Sequence, residues 1–179
     1  MDDFLLRRKW TLRAHGKQMV FVKRPNEQTA HVLMKALIWA LYLPTYPDLA
    51  VETAIGDRYK PDVVALDVAS RPRFWGEAGQ VGIEKIHSLI RRYCQTHFAI
   101  ARWDTRLDPL HDIVTAAVTD RQRQAPFDLL RFPADSVERF IDTGGEICIV
   151  HNDLESTTAS SSRQLARIAR NGRPGFRAG

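Results

Sequence analysis

The sequence predicts an α/β (α+β) fold in which a mixed central sheet is flanked by helices. Antiparallel pairing is indicated early, because two strand-like segments, 10–15 and 18–23, are separated by a short turn. A parallel crossover is indicated later, because the helical segment 81–96 lies between the strand-like segments 74–78 and 97–103. A sheet that combines both kinds of connection packs helices against its faces.

The first hairpin is predicted from alternation of apolar and polar residues, with Gly16 and Lys17 in its turn. Its second strand is apolar at nearly every position, so we expect both faces of that strand to be covered. Asn26 offers an N-cap to a helix at 27–42, and Pro44 ends that helix.

The remaining elements are predicted from apolar runs bounded by Gly and Pro. They are strands at 49–55, 62–67, 127–132 and 146–152, and helices at 109–118 and 133–142. Residues 1–154 are therefore expected to form one domain. Residues 155–179 are rich in Ser and Arg and poor in apolar groups, so a disordered tail is predicted there.

Composition restricts the class of protein. The 179 residues carry a net charge of +5, but five arginines and only one acid fall in 155–179, so the charge says little about the folded body. Cys94 and Cys148 lie in apolar stretches and are expected to be reduced core thiols, which favours a cytoplasmic protein. The longest apolar run, 36–44, is far below the ~20 residues of a membrane span, and no signal peptide is indicated.

Two acidic residues, Asp62 and Glu77, stand on neighbouring predicted strands. Asp62 opens one strand and Glu77 lies near the end of the next, so a short hairpin brings them to one end of the sheet. Two ionised carboxylates that lie close together repel, and a hard divalent cation such as Mg²⁺ removes that repulsion. Phosphodiester hydrolysis uses such a cation. Paired acids near strand ends are also common surface residues, and that alternative stays open at this point.

Lys85 lies one to two turns into the predicted helix 81–96, on a stripe with Ser88 and Arg92. A lysine beside the apolar face of that helix can lean over the sheet end toward the two carboxylates. There it would orient an attacking water or neutralise charge in the transition state. The alternative is a solvated helix charge.

Glu27 stands in the first turn of the predicted helix 27–42, on the same flank as His31 and Met34. Its carboxylate could join a metal shell, or it could complement the helix dipole. The six histidines show no metal-ligand spacing, so zinc is not expected. The sequence also has no GxGxxG, Walker or GxSxG motif, and no organic cofactor is predicted.

These residues together resemble a known superfamily. Pro61-Asp62, a hairpin and Glu77-Ala78-Gly79 match the PD-(D/E)XK phosphodiesterase pattern, with Gly79 at the lysine position. The segment 75–80 followed by Lys85 is similar to the YaeQ family, which carries W-x-E-x-G-Q with a lysine a few residues later. The resemblance extends as a general layout over residues 5–155.

The resemblance implies a restriction-endonuclease-like core and a hydrolase that cuts DNA or RNA with Mg²⁺ or Mn²⁺. By this analogy Glu27, Asp62 and Glu77 bind the metal, Lys85 supplies the lysine missing at Gly79, and Gln80 is a polar neighbour in the active site. We therefore expect a metal-dependent nuclease. Two alternatives are a non-catalytic module that binds nucleic acid or protein, and a structural domain whose acids are a relic.

Overall fold

The computed structural model describes residues 2–119, 123 and 125–159. It confirms an α+β fold with a mixed six-stranded sheet flanked by helices. The helices are α1 (Asp2–Leu6), α2 (Thr29–Tyr42), α3 (Ile83–Arg92), α4 (Asp108–Thr119) and α5 (Ser136–Phe140), with a 3₁₀ turn at His151–Asp153. The strands are β1 (Lys9–Ala14), β2 (Lys17–Val22), β3 (Ala50–Val51), β4 (Val63–Leu66), β5 (Pro72–Ala78), β6 (His97–Trp103), β7 (Phe127–Phe132) and β8 (Glu155–Ala159).

The main sheet has the order β3-β4-β5-β6-β7-β8. Its three central strands, β5, β6 and β7, run parallel, and the strands outside them pair antiparallel. Helix α2 covers one face together with the β1–β2 hairpin, and helices α3 and α4 cover the other. Both faces are therefore apolar, which explains why the central strands carry near-continuous apolar runs.

The β1–β2 hairpin forms a separate two-stranded sheet. Its turn consists of His15 and Gly16, both with positive φ, one residue earlier than predicted. The prediction that β2 is covered on both faces is wrong, because Val20 and Val22 are 44% and 58% exposed. Only the face that carries Phe21 joins the core, since no layer covers the outer face of this ribbon in the described ranges.

Several predicted elements are shorter in the structure. The strand at 49–55 is reduced to Ala50–Val51, the helix at 81–96 to Ile83–Arg92, and the helix at 133–142 to Ser136–Phe140.

Gly79 follows β5 with φ +80°, as a sharp exit requires, and its N–H donates to the Ala101 carbonyl at 2.8 Å. The strands at 97–103 and 127–132 have the predicted bounds.

The C-terminal part of the sheet differs from the prediction. No strand forms at 146–152, where Glu146 and Ile147 make only isolated bridges. The last described strand is β8, which pairs antiparallel with β7, so the predicted domain end at 154 is too early. Consecutive threonines at 157 and 158 suit a strand, and Thr158 bonds the buried Asp128 at 2.7 Å. The disordered-tail prediction is thus wrong for 155–159, and residues 160–179 lie outside the described residues.

Both cysteines are exposed and unbonded, so the prediction of core thiols is wrong. Cys148 alternates with Ile147 and Ile149, which point into the core, and therefore faces outward. Cys94 lies just beyond the end of α3. No helix within the described ranges combines the length and the apolar character that crossing a membrane requires.

Candidate active site

Asp62 and Glu77 lie at the same end of the sheet, near enough for the charge of Asp62 to act on Glu77. The register of β4 and β5 pairs Val63 with Gly76, and Asp62 and Glu77 are the residues next to this pair. The chain holds Asp62 there by two bonds: its N–H donates to the Gly76 carbonyl at 3.1 Å, and its Oδ2 accepts from the Ala78 N–H at 2.8 Å. Both acids therefore stand at the predicted end of the sheet, and their convergence on one shared ion stays a prediction.

The Glu77 carboxylate is almost fully buried and has two donors. The Trp75 indole N–H donates to Oε1 at 2.6 Å, and the Lys85 ammonium lies 2.7 Å from the same oxygen. Burial raises the pKa of Glu77, and the negative charge of Asp62 raises it further, while Lys85 and Trp75 act in the opposite direction. A positive charge near Glu77 therefore stabilises the ionised form of this buried carboxylate.

His31 lies between two acids. Its Nε2 is 3.5 Å from Oδ1 of Asp62 and 3.5 Å from Oε1 of Glu27. The contact with Asp62 raises the pKa of His31. Burial works against ionisation of Asp62, but the contacts with His31 and the Ala78 N–H hold the pKa of Asp62 below its usual value.

Glu27 lies two residues before the first residue of helix α2 instead of in its first turn. The carboxylate is fixed by the Arg24 N–H, which donates to Oε2 at 3.1 Å, and by the Lys35 ammonium, which bonds Oε1. Lys35 is 2% exposed and also bonds Glu52. A fully buried ammonium shared by two carboxylates is a strong constraint on this end of the sheet.

Lys85 contacts Glu77 as predicted, and His31 links Glu27 with Asp62. The common site of Asp62, Glu77 and Lys85 stays a prediction. Gln80 is exposed beside this cluster and makes no side-chain hydrogen bond in the described part of the chain. Three residues of the cluster were not predicted, although the spacing of each from a predicted residue is that of residues on one face of a helix or strand. They are His31 and Lys35, four and eight residues after Glu27, and Trp75, two before Glu77.

The donor chemistry fits a hard divalent cation. Mg²⁺ is usually held by one or two carboxylates, completed by water and substrate phosphate, and Asp62 and Glu77 supply two such groups. Within the described ranges, however, no three His, Cys, Asp or Glu side chains are grouped as a metal centre. The metal role of Glu27, Asp62 and Glu77 therefore stays a prediction.

Known proteins resemble this chain in their fold. No protein-family model matches the chain, and no curated protein matches it. The crystal structure of a YaeQ protein from Xanthomonas axonopodis pv. citri is similar, with a TM-score of 0.58 at 12% identity over 86% of this chain and 96% of that one. A YaeQ structure from Pseudomonas syringae gives a TM-score of 0.53 at 17% identity over 79% and 76%. The chain therefore has the fold seen in these YaeQ structures.

Proposed function

We propose that the chain is a YaeQ-type enzyme of the PD-(D/E)XK class, a phosphodiesterase that hydrolyses nucleic acid with Mg²⁺ or Mn²⁺. One observation carries the proposal: at the sheet end the Lys85 ammonium lies 2.7 Å from Glu77, and Asp62 is near enough for its charge to act on the same carboxylate. Two acids and a lysine at one point are the groups that phosphodiester hydrolysis uses.

In this proposal Asp62 and Glu77 hold the cation, and Glu27 stands at its periphery. When bound, the cation supplies Lewis acidity toward the phosphate and lowers the pKa of a bound water. Lys85 orients the attacking water or neutralises the charge that grows on the phosphate oxygens. The Trp75 indole fixes the Glu77 carboxylate by its 2.6 Å bond, so the metal-binding oxygens are positioned before any ligand arrives.

Glu77 also predicts how the site responds to pH. Because burial and the nearby Asp62 raise its pKa, protons compete for this carboxylate over a wider acidic range than for an exposed glutamate. Cation affinity should therefore weaken on acidification, with Glu77 as the group that takes up the proton.

The test combines calorimetric titration of Mn²⁺ with cleavage of labelled single- and double-stranded DNA and RNA. We expect wild type to bind the metal and release nucleotides, and Asp62→Asn and Glu77→Gln to lose both. Lys85→Met should lose cleavage, while Arg91→Met, an equal charge change on an exposed position of α3, should retain it. Absence of metal binding at millimolar Mn²⁺ would refute the enzyme proposal.

A second candidate is a non-catalytic module that binds nucleic acid or a protein on the same fold. It is favoured by the observation that each acid of the cluster already has a basic partner within the protein: Lys85 for Glu77, His31 for Asp62 and Lys35 for Glu27. When His31 is protonated, such a cluster is neutralised without a metal. Salt-dependent nucleic-acid binding without metal binding or products would support this candidate over the first.

A further inference from the structure

A groove of about 730 Å³ opens beside the acid cluster and shares Glu27 and His31 with it. It runs across the ends of β5 and β6, where Gly79, Gln80, Arg102 and Trp103 line it. Its size lies within the ~300–1,000 Å³ range of ligand sites. Asp62, Glu77 and Lys85 do not line this groove themselves.

Trp103 differs from the other tryptophans of the chain. Trp10, Trp39 and Trp75 are at most 2% exposed, whereas Trp103 is only partly buried and lines the groove. Its indole N–H has no hydrogen-bond acceptor in the described part of the chain. Part of the ring packs against the core on the α2 side, which fixes the side chain. An indole held in this way offers a stacking surface at low entropic cost.

Arg102, the preceding residue, also has no partner among the described residues. Nearby arginines are paired, Arg131 with Glu155 and Asp104, and Arg106 with Asp108. Arg102 makes no ion pair or side-chain hydrogen bond with any described residue, although it is not fully exposed. Arg102 and Trp103 both line the groove. A guanidinium and an indole without a partner among the described residues match a ligand that carries both a phosphate and an aromatic ring.

We propose that this groove binds an unpaired nucleotide of single-stranded nucleic acid, with its base stacked on Trp103 and its phosphate at Arg102. Base faces are covered by stacking in a duplex and free in a single strand, so an aromatic surface selects the single strand. The side chains of Gln28 and Gln80, which have no protein partner in the described ranges, line the same groove and can bond the base edge. The inference rests on the proposed function, since it names the substrate class of that site.

The test measures binding without cleavage, using the full chain in EDTA. Oligonucleotides of about ten residues, as single-stranded DNA, single-stranded RNA or duplex, are titrated while tryptophan emission is recorded. Because the other three tryptophans are buried, we expect saturable quenching by single strands that Trp103→Phe abolishes. Comparison of the DNA and RNA arms identifies the preferred sugar.

Affinity is measured in parallel with labelled oligonucleotides. We expect Trp103→Ala to weaken single-strand binding roughly 5- to 100-fold and Trp103→Phe to restore most of it. Arg102→Ala should lower the slope of log K against log salt by about 0.7, while Arg106→Ala, an equal charge change outside the groove, should not. If Trp103→Ala fails to fold, the inference is still tested by the quenching of the wild-type protein. The comparison of Arg102→Ala with Arg106→Ala tests it as well.

Two results would overturn the inference: single-strand affinity unchanged in Trp103→Ala, or a duplex that binds and quenches as well as a single strand. These outcomes are separable from the proposed function. Groove binding without metal-dependent cleavage refutes only the phosphodiesterase, whereas metal-dependent cleavage with normal binding in Trp103→Ala refutes only the role of the groove.

Discussion

The ammonium of Lys85 lies 2.7 Å from Oε1 of Glu77, although the two residues belong to different elements, α3 and β5. Glu77 is buried and Lys85 is largely covered, so the pair joins the helix to the sheet end through charge in a region of low dielectric. The contact requires that the loop at residues 79–82, which connects β5 to α3, place Lys85 beside the end of β5.

Lys85→Met should raise the pKa of Glu77 above its already raised value, because Lys85 is the main group that lowers it. A carboxyl group whose pKa is raised in the folded state contributes stability that is complete below its pKa in the unfolded chain. That stability is lost as pH rises through its pKa in the folded state. The variant should therefore lose about 1–3 kcal/mol of unfolding free energy near neutral pH and less at acidic pH. Urea unfolding across this range measures the effect, and adding Glu77→Gln to Lys85→Met should remove its pH dependence.

Lys35→Met should destabilise the fold by about 3–5 kcal/mol, because it leaves Glu27 and Glu52 without the buried cation that they share. Chemical denaturation monitored by circular dichroism gives the change. Lys60→Met is the matched control, since Lys60 also contacts Glu52 but lies near the surface. Equal losses in the two variants would contradict a special role for the buried lysine.

His31→Gln should lower the free energy of unfolding more at about pH 5.5 than at about pH 8.5. The pKa of His31 is raised above its ordinary 6.5, so its contribution is complete below that value and lost as pH rises through the folded pKa. The pKa of Asp62 is lowered from 3.8, so its contribution is present above that value and lost as pH falls through the folded pKa. We expect a difference of up to about 1 kcal/mol, because His31 is partly open to water. In an Asp62→Asn background the pH dependence should disappear.

Ending the chain after Leu154 should lower the melting temperature, because it removes β8 and the Thr158 bond to Asp128. Ending it after Ala159 keeps these contacts and serves as the control. The substitution Thr158→Val isolates the hydrogen bond and should cost about 1–3 kcal/mol, or roughly 2–12 °C for a chain of this size. Identical melting of the two shortened chains would show that β8 does not stabilise the sheet.

The parts of the fold that depend on local signals could be predicted from the sequence. The apolar runs of β6 and β7 predicted the correct bounds, and the predicted hairpin of β4 and β5 placed Asp62 and Glu77 at the same end of the sheet. The hairpin at the N-terminus was also predicted, but its placement outside the main sheet depends on contacts with α2, which no local pattern reveals.

The errors have physical causes. β8 is a polar strand, Glu-Ser-Thr-Thr-Ala, whose place depends on an unpaired edge of β7 and on a buried acid that accepts from Thr158. His31 and Lys35 lie on a helix that is buried on nearly every side, so an amphipathic pattern could not mark them as polar groups directed at Glu27. The position of β8 and the roles of His31 and Lys35 both depend on contacts between residues far apart in the sequence. Sequence periodicity does not reveal such contacts.

The backbone at Gly79 limits which residue can replace this glycine. Its φ of +80° strains any other residue, and a Cβ added there would lie 3.5 Å from Nδ1 of His31 and 3.6 Å from Cε of Met34, on the α2 side. A lysine written into this position would thus emerge beside a histidine and away from the helix that now supplies the ammonium. A lysine at position 79 therefore could not take over the contact that Lys85 makes with Glu77 from α3.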